Sequence, residues 1–445
     1  MIKIKKGLDI PMDGAPDPVH TPDGITTLYG IVPDDFPGHK WKCTVKPGDQ
    51  VLAGTPLMMA KEHEALRLVS PVAGTVAEVR RGERRKIEAV VIEAGADKSR
   101  ALEIEGALKA TDRESILRVL CHSGMLAMIR QRPFDIVPDP TVTPRDIFVS
   151  AFDSAPLAAP LISADMREAH EKGLEVLRRL TDGNVYLSVR ADDSLSSRVA
   201  KVYEIGGPHP SGNVGVQIAH IKPVNRGEVV WTLDSRTVVR IGRLFATGRV
   251  DCAAEVAVTG PLAKRPHIVD TRVGAGLHTL LKGEVKMESG TVRVVSGNVL
   301  TGVQVQPEEG FLRYPYRQIT LLSEGDRADE FLGWASLDPR KFSVKRTFLS
   351  SLLGKRGHYD YDARLRGGRR GMILSGEMDK VFPMDIYPEF LLKAIMAGDI
   401  ERMEQLGIYE VAPEDFALAE FVDTSKQPLQ QIVRDGLDRL RANLT

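Results

Sequence analysis

The stretch from Gly206 to Gly215, GGPHPSGNVG, concentrates the residue types best suited to holding a ligand. Glycine lets a backbone come close to a bound group, and successive N–H groups in such a loop can cradle an anion. The spacing is not GxGxxG, so a tight structural connection accounts for the loop equally well. His209 lies within it and His220 follows eleven positions later, with no cysteine or acidic partner at metal-ligand spacing. Cys43, Cys121 and Cys252 are 78 and 131 positions apart. With no CxxC, they exclude an all-cysteine zinc or iron–sulfur site built from local motifs. No HExxH, P-loop, dinucleotide fingerprint or serine-hydrolase elbow is present. The residues therefore give a loop that serves equally as a ligand cradle or a structural connection, and no catalytic set or metal set.

The elements that must position this loop follow from composition and rhythm. A chain of 445 residues exceeds one ordinary core and fits three or four domains. Lys plus Arg equals Asp plus Glu at 60 each, which argues against a dedicated nucleic-acid binder. No run approaches the 18 apolar residues of a membrane-spanning helix, and MIKIKKGLDIPMDG lacks the apolar core of a signal peptide. A cytoplasmic chain is expected.

Residues 1–40 read as a lead-in that packs against the unit that follows. In Trp41–Ile92, Pro47-Gly48-Asp49 and Ala53-Gly54-Thr55-Pro56 punctuate short valine-rich strands, and Pro71 and Gly74 repeat the device. Such strands roll into a small barrel or sandwich. Thr111 and Glu114 form a capping-box pattern for a helix ending near Ser123-Gly124. A second helical stretch is expected over Met125–Arg130. Ile147–Val149 and Gly183–Val189 read as strands, Ala158–Leu180 and Ser194–Tyr203 as helices, the βαβ rhythm of a parallel α/β domain. Ligands collect beyond the carboxyl ends of such strands, which puts Asp153, Ser154, His209 and Pro210 on one rim. Thr237–Gly242 and Glu255–Gly260 read as strands, Trp231 as core, and the last 60 or so residues as helical. Arg364–Arg370, RLRGGRR, is a basic loop, either solvated or docked on an acidic partner or anionic lipid.

The barrel's KPGDQVLAGTPL and SPVAGTV resemble biotinyl and lipoyl carrier domains. Lys61 stands in MMAKEHEA without the expected attachment context, so no covalent biotin or lipoyl is expected. KKGLDIPMDGAP, the barrel segments, Gly-Pro-His-Pro-Ser-Gly, GRLFATG at 242–248 and GMILSGEMDKVFPMDIYPEF at 371–390 occur in one order. Together they resemble the NqrA subunits of the Na⁺-translocating NADH:quinone reductases. The resemblance implies a multidomain α/β chain. Residues 1–98 would hold the lead-in and barrel-sandwich domain, 99–257 a Rossmann-like α/β domain, 258–330 a β-grasp, soluble-ligand-binding-like domain, and 331–445 a covering segment and helical region.

It further implies a peripheral subunit on the cytoplasmic face of the cell membrane, held by five other subunits, some of them membrane-embedded. That complex oxidises NADH, reduces ubiquinone and exports sodium, and its NqrA component is associated with ubiquinone. The family is similar to the FMN-binding subunit of complex I and to the RnfC component of the Rnf complex, which hold FMN with a GxGGAxFPT loop. Here the matching stretch is Ser123–Phe134 with one glycine, and Met125, Leu126 and Met128 stand where the flavin phosphate would go. No FMN and no iron–sulfur cluster are expected. A quinone neighbourhood is expected near Met125, Phe134, Gly207, His209, Gly212 and Gly215, with a purely structural docking role as the alternative.

Overall fold

The computed structural model describes every residue except 287–289, 327–329, 332–333, 346, 352–356 and 445. Two small sheets make the N-terminal barrel: Leu28–Ile31, Ile87–Ala94, Gly74–Arg81 and Gln50–Val51 in one, Trp41–Cys43, Pro56–Ala60 and Arg67–Val69 in the other. Their inward residues, among them Leu57, Met58, Leu66, Val72 and Ile92, are completely buried. Gly48 and Gly54 both sit at φ +93, the left-handed geometry that the two expected turns require.

The second sheet has the order Ile2–Lys3, Lys201–Gly206, Val185–Arg190, Asp146–Ser150, Val230–Asp234, Arg130–Arg132, parallel except for the last strand. Alternation along the central strand sets its two faces. Ile147 and Val149 pack with Leu177, Val238 and Ile241, while Phe148 packs with Tyr186 and Ile218. Helices Arg167–Arg178 and Ser235–Thr247 cross at two glycines. A Cβ on Gly173 would stand 2.1 Å from Val238 O, and one on Gly242 1.8 Å from Ala169 O. From Asp146–Ser150 the chain moves first to Val185–Arg190 on one side and later to Val230–Asp234 on the other. That reversal is a topological switch point, where open α/β sheets leave a crevice.

A third, mixed sheet orders Val303–Val305, Val292–Ser296, Gln318–Ser323, Ala253–Thr259, His267–Arg272 and His20–Pro22. Helices Pro388–Ala397, Ile400–Gln405, Ala417–Val422 and Leu429–Leu444 close the C-terminal region. Their core, with Leu391, Met403, Phe416, Val433 and Leu437, reaches Ile205 of the second sheet, Ile4 and Phe152 just beyond its strands, and Val216 of helix Val214–Ile221. No helix among the described residues is long and apolar enough to cross a membrane.

Several local expectations are corrected. The lead-in does not pack on the barrel alone: Ile2–Lys3, His20–Pro22 and Leu28–Ile31 each extend a different sheet. Thr237–Gly242 lies in a helix, because Asp234 caps it by accepting the Thr237 N–H at 2.7 Å and its apolar stripe is buried. Lys201–Tyr203 belongs to a strand, where its apolar and aromatic residues pair with Val185–Arg190. The helix expected over Ala158–Leu180 is α-helical only over Arg167–Arg178, downstream of Pro160. Met125–Arg130 yields one 3₁₀ turn, Leu126–Met128, before an edge strand. The cap of helix Arg113–His122 is Asp112, whose carboxylate takes the Ser115 N–H at 3.0 Å, not Thr111.

Candidate functional site

A crevice of about 490 Å³ opens at the switch point. Its floor is the carboxyl end of the two diverging strands, with Ser150, Phe152 and Asp153 after one and Leu233 and Asp234 at the end of the other. The Gly206–Gly215 loop forms one side through His209, Gly212 and Asn213. The loop before strand Gln318–Ser323 supplies Arg313–Arg317, the lead-in Asp34, Asp35 and Pro37, and the C-terminal region Pro413 and Glu414.

The loop is held from within. Ser154 Oγ accepts the Gly212 N–H at 2.8 Å and lies 3.0 Å from His209 Nδ1. Asp9 of the lead-in accepts the His209 backbone N–H at 2.8 Å. Burial holds His209 below its ordinary pKa, although Asp153 and Asp9 oppose this, so the ring is neutral at pH 7. Gly212 cannot carry a side chain, since a Cβ would stand 2.5 Å from Ser154 N.

The opposite wall rests on aromatic packing. Tyr314 stacks on Phe36 with centroids 5.3 Å apart, and the Arg130 guanidinium lies 5.4 Å from the Tyr314 centroid. The Tyr314 hydroxyl donates to Met128 O at 2.5 Å, and that of Tyr316 to Thr301 O at 2.5 Å. Burial pushes both phenols up to about 12, so they remain protonated. Asp35 takes the Arg313 Nε at 2.7 Å and the Tyr314 N–H at 2.9 Å. Burial raises its carboxyl, with Arg313 pulling the other way. Asp234 shows the reverse balance: burial favours its neutral form, but Arg317 and the Thr237 hydrogen bonds hold it below the usual carboxylate range.

Between the loop and the C-terminal region lies Arg132, 1% exposed, bridging two carboxylates. Its guanidinium reaches Asp415 at 2.8 Å and Glu414 at 2.5 Å. Asp415 is fully buried and also accepts the Ala412 N–H at 2.8 Å. Glu414 keeps 41% of its side chain exposed and lines the crevice. One cation facing two acids leaves charge uncompensated, and burial together with Asp415 raises the Glu414 carboxyl above its ordinary range against the pull of Arg132. Glu414 thus stands at the crevice edge as a half-exposed carboxyl paired with Arg132.

Of the residues expected near a ligand, His209 and Gly212 line the crevice. Gly215 backs its wall, where a Cβ would stand 2.3 Å from Asp415 Oδ1. Gly207 supports the lead-in instead, with a Cβ 2.3 Å from Ile4 O. Met125 is wholly buried in the core that joins barrel and second sheet. Phe134, at φ +85, packs on the C-terminal helical core. Asp153 and Ser154 do share the rim with His209. Asp35, Glu414 and the RYPYR run at 313–317 went unrecognised in the sequence, where aromatics flanked by arginines around a proline were the available signal. The three cysteines are free thiols, with Cys121 pushed up to about 12 and Cys252 to about 11 by burial. Among the described residues no group of three or more His, Cys, Asp or Glu is arranged to hold a metal.

Three family models match the chain: the NqrA N-terminal barrel-sandwich hybrid domain over residues 2–95, the NqrA second alpha/beta domain over 111–250, and the NQRA C-terminal domain over 255–307. Curated relatives are each named as the A component of the Na(+)-translocating NADH-quinone reductase. The one from Hahella chejuensis is 38% identical, with 99% of each chain covered. That from Marinomonas sp. is 36% identical with 98% of each covered, and that from Serratia proteamaculans 36% identical with 99% of each covered. Among solved structures, a chain of an NAD⁺-reducing [NiFe]-hydrogenase overlaps 51% of this chain and 50% of its own at 14% identity, with a TM-score of 0.35. That likeness is too slight to carry an argument.

Proposed function

The chain belongs to the NqrA family of Na⁺-translocating NADH:quinone reductase components, and from that premise we propose that its crevice receives ubiquinone for reduction by the assembled complex. In this reading the chain sits peripherally on the cytoplasmic face of the membrane, attached through five partner subunits. NADH oxidation and sodium export fall to those partners. The isolated chain is not catalytic, and the divisions near residues 98, 257 and 330 mark its domains.

The observation that carries the reading is the crevice itself. A quinone needs an apolar slot with few, well-placed donors for its carbonyl oxygens. Met128, Phe152, Leu161, Leu233 and the Tyr314 and Tyr316 rings supply the slot, and the neutral His209 ring supplies a hydrogen-bonding group in its lining. Glu414 supplies one of the two protons, and water the other, as two electrons from redox cofactors of the partner subunits reduce the quinone to the quinol, and Glu414 regains its proton from water. No flavin or iron–sulfur centre is assigned to this chain. The Ser123–Met128 turn supports that, because a Cβ on Gly124 would meet the barrel's Val69 at 3.2 Å and Met125 and Leu126 face the core. Lys61, exposed after strand Pro56–Ala60, is read as a surface lysine without biotin or lipoyl.

The docking-only reading draws on one feature, the exposed Tyr387, Phe390 and Met396 along helix Pro388–Ala397. Equilibrium dialysis of the full chain with a short-chain ubiquinone separates the two. The quinone reading predicts saturable binding, weakened about tenfold by His209→Gln through loss of one hydrogen bond to a buried acceptor. In the assembled complex, quinone reduction falls as pH rises through the elevated Glu414 pKa, and Glu414→Gln flattens that limb. Absence of saturable binding, with and without partner subunits, leaves docking as the function.

A further inference from the structure

A second cavity, of about 530 Å³, lies between residues 341–345, 360–362 and 364–370 on one side and helix Ala417–Val422 on the other, sharing only Gln430 with the crevice lining. The RLRGGRR run forms one side of it. Its acidic residues are already engaged. Asp362 binds Lys341 at 2.9 Å and Arg366 at 2.6 Å, Asp360 lies 4.0 Å from Lys341, and Glu420 accepts the Gln430 N–H at 2.9 Å. Lys345, Lys426, Arg369 and Arg370 also line the cavity, and no ion pair is formed by any of the four among the described residues. For a chain of net charge 0 this is a concentrated positive field.

Two observations separate this cavity from an ordinary solvated basic loop. The loop is pinned: the Arg370 N–H donates to Ser425 O at 2.8 Å, and Gln427 donates to Arg370 O. The Tyr361 hydroxyl and Thr424 Oγ1, both in the lining, are buried without a hydrogen-bond partner. Buried hydroxyls are almost always satisfied, and a merely solvated loop would leave them to water. Apolar walls stand beside them, with Phe342 6.0 Å from the Tyr361 ring, and with Leu300 and Phe421. Burial and the neighbouring Lys345 charge hold the Lys426 amine below its ordinary pKa, with Asp423 pulling the other way.

We propose that this cavity binds a phosphate-bearing ligand, its phosphate among Lys345, Lys426, Arg369 and Arg370 and its apolar part against Phe342 and Phe421. A phosphate carries enough charge and acceptor oxygens to engage several cations together, and the volume suits a small molecule or one lipid headgroup. Trp334 lines the cavity and reports on it. The test is a titration of the full chain, by tryptophan fluorescence, with pyrophosphate, with phosphatidylglycerol vesicles and with phosphatidylcholine vesicles. Saturable change with pyrophosphate assigns a soluble ligand, and change with phosphatidylglycerol alone assigns a headgroup. Either signal disappears in Trp334→Phe. Lys345→Gln/Lys426→Gln weakens binding at least about tenfold with an unchanged melting temperature. Arg369→Gln/Arg370→Gln, on exposed loop positions, does the same if the first pair fails to fold. Silence with both anionic probes, equal response to phosphatidylcholine, or affinity unmoved by both double variants overturns the proposal.

Discussion

The barrel and the crevice are built in opposite ways. Between Leu28 and Ala94 the barrel's strands pair with one another and its turns sit at Gly48 and Gly54, although its core runs on into that of the second sheet. The crevice needs everything from elsewhere. Arg132 meets Asp415 across 283 positions and Tyr314 meets Asp35 across 279. A unit closed by local contacts withstands change in the rest of the chain, whereas a site assembled from distant stretches is lost when any one of them shifts. The ligand chemistry sits in the second kind of region, and the barrel provides a wall to pack against.

The largest effect that sharpens this contrast is expected at Arg132. Arg132→Gln leaves Asp415 buried with only the Ala412 N–H, at a cost of about 3–5 kcal/mol in urea unfolding. Adding Asp415→Asn restores much of it, and a loss below about 1 kcal/mol would show that the long-range pair does not hold the wall. Next comes Leu57→Ala in the barrel. It opens a cavity costing about 3 kcal/mol yet leaves ubiquinone affinity within about twofold of the parent by dialysis. A large affinity change would break the separation between the two regions.

Acid gives the third effect. Burial lowers the His170 pKa to about 4, and its Nε2 lies 3.0 Å from Ser235 Oγ. The unfolded chain, with an ordinary histidine pKa of about 6.5, takes up the proton first. Stability from this group is therefore complete above about pH 6.5 and declines as pH falls toward 4, by about 3 kcal/mol in all. Melts between pH 7 and pH 4 should show that slope reduced in His170→Gln. Hydrogen exchange should show the second sheet losing protection before the barrel. The smallest effect is Lys61→Gln, within about 0.5 kcal/mol and without influence on quinone binding, measured by the same melts and dialysis.

What was legible in the sequence follows the same division. The barrel's turns and strands announced themselves through proline, glycine and valine at short range. The shared rim of Asp153, Ser154 and His209 was legible because the βαβ rhythm fixes where strands end. Thr237–Gly242 was misread as a strand because β-branched residues dominate it, while the decisive residue, Asp234, lies just before it and acts by capping. The remainder of the site was hidden by distance. Nothing near Glu414 indicates that a buried arginine 282 positions away will hold it, and nothing near Tyr314 indicates Phe36 as its stacking partner. Met125 and Phe134 were placed by their neighbourhood in sequence, and packing sends the first into the core and the second toward the C-terminal helices.

The most direct test is photolabelling of the assembled complex with an azido-ubiquinone, followed by peptide mapping of this chain. The composite crevice predicts label on at least two distant stretches at once, 150–161 or 209–214 together with 313–317 or 413–414, all competed by unlabelled ubiquinone. Label absent from this chain, or confined to the barrel, would contradict it.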